Sequence, residues 1–230
     1  YMNDIRKVLR NIFSNWFADV VTGVIGSILS PVLVHSFRNK LYGIWCIIVS
    51  FSGFYGLVNF GITPSITFYL SYYYGRNDIE EVNRVASTAQ VVLTLLALFV
   101  MMIAIPLAFW GSSIFSIEPQ HTEGFKWAVL IMAFNFALSF LFAVHNSFFV
   151  VLQRYDLRNI ISITSDILKA ILIFYAINHG YKIVAISLIT CLCSLGTYSA
   201  FVIIIKNYYP MLRLHLVNAS RTTFNLMINY

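Results

Sequence analysis

The chain has 230 residues, 59% of them hydrophobic, 17% aromatic and 10% charged, with a formal net charge of +6. Soluble domains average about 25% charged residues, so a mean hydropathy of +0.78 excludes an ordinary solvated surface and points to lipid as the solvent. The basic residues form short clusters beside apolar segments rather than a stripe, which argues against nucleic acid and for a protein that meets anionic membrane lipid.

The N-terminal stretch MNDIRKVLRNIFSNWFADVV begins basic and turns apolar, and the apolar part runs on to Val34 with no small-residue cleavage site after it. That length predicts a retained first helix, not a signal peptide. Crossing about 30 Å of hydrocarbon takes about 20 helical residues. Six stretches are long enough: 12–34, 41–73, 85–110, 125–152, 160–178 and 183–205. Each must be helical, because lipid offers no partner to an open backbone group. The connections HSFRNK, GRNDIEEVNR, SIEPQHTEG, QRYDLRN and NHGYK are short and mostly polar. The expected fold class is an all-α polytopic membrane protein. Residues 1–210 form a six-helix transmembrane lobe. Residues 211–230, with Leu212, Leu214, Leu216, Phe224, Met227 and Ile228 as their apolar groups, form an amphipathic linker on the membrane surface.

Several predicted spans carry a polar face. The first has Asn11, Asn15, Asp19, Thr22, Gly26 and Ser30, at steps of three and four, which is one side of a helix. The second holds Gly61 and Pro64, candidates for a kink; Pro31 and Pro106 sit late in spans one and three. Span four has Asn135, Ser139 and Asn146, span five has Asn159, Ser162, Asp166 and Lys169, and span six has Ser187, Thr190, Ser194 and Thr197.

Close helix packing accounts for the glycines and hydroxyls. It does not account for Asp19, Asp166 and Lys169, since a charge at mid-membrane costs about 2.5–3.5 kcal/mol on insertion scales. Asp166 and Lys169 are three residues apart and meet on one helical face. Two readings of the pair stand: an ion pair that only offsets its own burial, or a polar site on a water-filled cavity. Asp19 has no partner in its own helix; it is protonated, paired with Lys169 across the bundle, or wet at the membrane interface. Asn15 and Asn135 complete the cavity candidates.

Cys46, Cys191 and Cys193 lie in apolar runs without metal-ligand spacing, and His35, His121, His145, His179 and His215 form no constellation. No metal, cofactor or catalytic residue is expected. A membrane-embedded polymerase or acyltransferase would need an acid–base pair or nucleophile at a membrane face, and no large polar loop supplies one. A scaffold without transport is the remaining class. Orientation follows from the basic residues. Arg6, Lys7, Arg10, Arg76, Arg84, Arg154, Arg158, Lys206, Arg213 and Arg221 fall on one side, against Arg38, Lys40, Lys126 and Lys182 on the other. The positive-inside rule then places both termini in the cytoplasm, with Tyr69, Tyr72, Tyr73 and Tyr74 near that interface.

The stretch from Asn11 to Ala89 resembles the start of bacterial polysaccharide transporters, the O-antigen flippases and their relatives. Their superfamily also holds multidrug exporters and other lipid-linked exporters. Pro31, Tyr42, Gly43, Trp45, Tyr55, Gly61, Asn77, Asp78, Asn83 and Arg84 carry the likeness, which continues more loosely to Pro210. The chain departs from the pattern at Arg38–Asn39–Lys40, where relatives often have glycine, and at Asn59, where they often have Asp; no charge role passes to Asn59. The resemblance implies one six-helix lobe of a two-lobed transporter in the bacterial inner membrane, with a C-terminal lobe completing the central cavity. It implies an undecaprenyl-pyrophosphate-linked oligosaccharide as substrate, moved between leaflets by alternating access. A multidrug exporter of the same superfamily is the near alternative.

Overall fold

The computed structural model describes residues 2–58, 61–211 and 223, with side chains described for 9–37, 41–50, 61–211 and 223. Asn59, the side chains of residues 38–40 and nearly all of the expected 211–230 linker therefore lie outside the described residues. Among the described residues seven helices follow one another: α1 Met2–Val58, α2 Ile62–Gly75, α3 Ile79–Ile114, α4 Pro119–Leu141, α5 Ala143–Val151, α6 Tyr155–Asn178 and α7 Ile183–Tyr208. Among the described residues five stretches are long and apolar enough to cross a membrane: Leu9–Phe37, Ile79–Ile114, Pro119–Leu141, Tyr155–Asn178 and Ile183–Tyr208; Leu41–Ser50 is a shorter apolar helix. The chain is thus a multi-pass, all-helical membrane protein. Its outward faces are apolar, with Phe13, Trp16, Leu98, Met102 and Leu192 all exposed, while Ser65, Ser87, Thr88, Ser147 and Ser187 are buried. Water would favour the reverse.

Four boundaries differ from the sequence expectation. The predicted loop between spans one and two is helical, and α1 continues through it to Val58. Its neighbours change along its length. Leu33 and Phe37 pack with Ile173 of α6, and Ile44 and Ile48 then pack with Ala108, Phe125 and Ile183 at the far end of α3, α4 and α7. Thr63, near the start of α2, lines one cavity with Asn146 and Tyr198.

The predicted span 41–73 is instead divided ahead of α2. Gly61 adopts φ 83, a left-handed conformation that costs a residue with a Cβ. Pro64 follows in the first turn of α2, where its missing N–H leaves no carbonyl stranded. Gly61 is thus the residue immediately ahead of α2, and Pro64 lies in its first turn. The predicted span 125–152 is divided only at Phe142. The bonds Phe142 N–H to Leu138 O (3.1 Å) and Asn146 N–H to Phe142 O (3.1 Å) carry the ladder across the interruption. Span five begins earlier than predicted, at Tyr155.

Each hairpin turn between the later helices contains one left-handed residue: Asn77, Ser116, Gln153 and Gly180. Asp78 caps α3 by accepting from Glu81 N–H at 3.1 Å. In the same turn Arg84 is held by Glu80 at 3.0 Å and by Glu81, while Arg76 instead covers the Tyr72 ring.

The core is organised on α3. Val82, Ala86, Ala89, Leu93, Ala97, Val100, Ala104 and Ala108 recur every three or four residues and are buried, a small-residue stripe that admits α4 closely. At the far end Gly111 meets Phe125; a Cβ there would stand 2.8 Å from the ring. At the near end Phe149–Phe201, Phe148–Tyr209 and Tyr74–Tyr209 ring contacts close the bundle. Tyr209, just beyond α7, has its phenol pKa raised by burial and then by Tyr74.

Candidate functional site

The polar faces of α1 and α6 meet. Asn159, buried on α6, donates to Asn15 Oδ1 at 2.7 Å and to Ser14 Oγ at 2.9 Å. Two turns further along both helices, Thr22 Oγ donates to Asp166 Oδ2 at 3.2 Å. The seven-residue interval is the same on each helix, so the two run parallel and in register. Asp166 Oδ1 accepts from Lys169 Nζ at 2.7 Å. Each carboxylate oxygen thus has one partner, one from its own helix and one from α1. The two side chains are 22% and 29% exposed, which is too open for a sealed core pair and too closed for a surface one.

Asp166 and Lys169 face a cavity of about 360 Å³. Arg158, Ser162 and Ser165 extend its α6 wall. Ser194, Thr197 and Tyr198 line it from α7, Ser139 and Asn146 from α4 and α5, and Thr63 from α2. Phe142 and Tyr198 stack in its wall with centroids 5.2 Å apart. Asn146 Oδ1 is buried with no partner among the described residues. Two cations and one carboxylate leave the cavity net positive. Its hydroxyls, amide and guanidinium can bind an oxygen-rich anion, and nothing in this set resembles a nucleophile with its base. Among the described residues no group of three His, Cys, Asp or Glu is placed to hold a metal ion.

The sequence candidates fall in different places. Asp166 and Lys169 line the cavity together. Asn15 ties α1 to α6 through Asn159. Asp19 is exposed on α1, close enough to Arg158 to act on it electrostatically. Asn135 lies outside the cavity lining, its Oδ1 buried without a partner among the described residues. Gly61 and Pro64 flank Thr63, which does line the cavity. The sequence pattern places Arg158 in the connection QRYDLRN, and the structure places it on α6. Its spacing held the signal, for it lies four residues before Ser162 and eight before Asp166, on the same face of α6.

No curated protein matches the chain. No solved structure matches it either. The profile of the MatE family matches residues 27–175, a range that takes in Thr63, Asn146, Arg158, Asp166 and Lys169 and leaves out Asn15, Asp19 and α7.

Proposed function

The chain belongs to the MatE family, within the superfamily of multidrug and polysaccharide exporters, and on that premise we propose that it moves a lipid-linked oligosaccharide bearing a pyrophosphate between membrane leaflets. The observation that carries this reading is the composition of the cavity. Lys169 and Arg158 outnumber Asp166, and seven hydroxyl side chains, from Thr63, Ser139, Ser162, Ser165, Ser194, Thr197 and Tyr198, surround them. Such a lining suits a sugar–pyrophosphate head, which needs cations and hydrogen-bond partners to replace its water. The oligosaccharide lipid crosses the bacterial inner membrane from the cytoplasmic leaflet. Both termini of the segment lie in the cytoplasm, and a second lobe closes the other side of the cavity. Rocking of the two lobes exposes the site to one side and then the other.

Lys169 contacts the head group, and Asp166 holds Lys169 until substrate competes for it. Lys169→Ala should abolish surface polysaccharide in a strain lacking the native exporter while the protein still reaches the membrane. Lys169→Arg should keep part of the activity, because the charge stays and its geometry changes. Normal polysaccharide from Lys169→Ala would defeat the reading.

The stacked Phe142–Tyr198 pair beside Asp166 favours a second reading, export of flat aromatic cations. On that reading Asp166→Asn would raise drug sensitivity and leave polysaccharide unchanged.

A further inference from the structure

A second cavity, of about 470 Å³, lies between α6 and α7 and is lined mainly by aliphatic side chains, among them Ile160, Leu168, Leu172 and Leu192. Ile160 and Leu192 are 62% and 64% exposed, so this groove opens outward, toward lipid. Ser165, Cys193 and Thr197 line both it and the polar cavity. One side-chain hydrogen bond, Ser165 Oγ to Cys193 O at 3.3 Å, crosses the seam between the two helices there. From Ile160 to Leu172 the groove is about 18 Å long at 1.5 Å per residue, close to the depth of one leaflet, which is half of about 30 Å. Gly196 lines the groove, and a Cβ built on it meets nothing within 4 Å.

A polar chamber and an apolar groove, back to back across a seam of small residues, fit the two ends of one amphiphile. We propose that the α6–α7 groove binds the hydrocarbon chain of the lipid-linked substrate while its head occupies the polar cavity, and that the seam at Ser165 and Cys193 is where the molecule passes between them. This rests on the reading of the substrate as a lipid-linked anion. It adds a chain-binding site that selects for the lipid, apart from the head site at Lys169.

The test uses the full chain in phosphatidylcholine nanodiscs with a polyprenyl pyrophosphate that carries a diazirine near the middle of its chain. Irradiation should label Leu168, Leu172 or Leu192, and unlabelled polyprenyl pyrophosphate should suppress the adducts. Gly196→Phe fills the groove from open space, and Leu168→Trp fills it from the opposite wall. Each should lower labelling at the remaining groove positions at least fivefold while the protein stays monodisperse. Equal labelling of those residues by a diazirine phosphatidylcholine, or labelling untouched by both plugs, would overturn the proposal. The head assignment is read separately in the same preparation. Groove adducts that Lys169→Ala leaves intact, and that a headless polyprenol suppresses equally well, would refute the pyrophosphate reading and leave the chain site standing.

Discussion

Asp166 and Lys169 were legible as a pair from their spacing alone, because three residues along a helix bring side chains together whatever surrounds them. The third partner was not legible. Thr22 lies 144 residues away in sequence, and only the shared seven-residue interval between Asn15, Thr22, Asn159 and Asp166 hints that two polar faces belong together. Arg158 escaped notice for a different reason: a basic residue in QRYDLRN looks like a loop charge until the helix is known to start at Tyr155. The structural and functional readings of the ion pair separate in one variant. If the pair only offsets its own burial, replacing both residues with Leu should preserve transport and leave stability neutral or improved. We expect transport to be lost at normal membrane levels, as measured by surface polysaccharide. At Gly111 the constraint is steric. Gly111→Leu must displace the Phe125 ring, and overpacking of this kind costs about 1–3 kcal/mol, visible as a lower Tm in detergent.

Among the elements, periodicity and length located five of the membrane helices and left their ends uncertain. The second predicted span was the hardest to read. Hydropathy runs through Gly61 without interruption, so the break ahead of α2 shows only in the residue that permits a left-handed backbone. Gly61→Ala should destabilise the protein by about 1–2 kcal/mol, while Pro64→Ala, in a first turn where no backbone bond is at stake, should be nearly silent; thermal unfolding of both variants measures the difference. At Phe142 the sequence gives no warning. Hydrogen bonds continue on either side, so the interruption leaves no glycine or proline as its mark.

For the whole molecule, composition alone required a lipid environment, and the exposed aliphatic faces agree with it. Orientation depends on where the basic residues fall. Single cysteines introduced at Glu123 and Glu81 should react with an impermeant maleimide from outside and from inside, respectively; the opposite pattern would reverse every leaflet assignment in the proposed transport cycle. The hydroxyl groups have a mechanical consequence. Thr164 bonds to Ile160 O, Ser187 to Ile183 O, Thr190 to Ile186 O and Thr197 to Cys193 O, each a carbonyl of its own helix. Moving α6 along α7 breaks none of these bonds, so polar residues that would otherwise rivet the helices together add no friction between them. Among the described residues, the hydrogen bond from Ser165 Oγ to Cys193 O is then the polar link between α6 and α7 that such a sliding has to break.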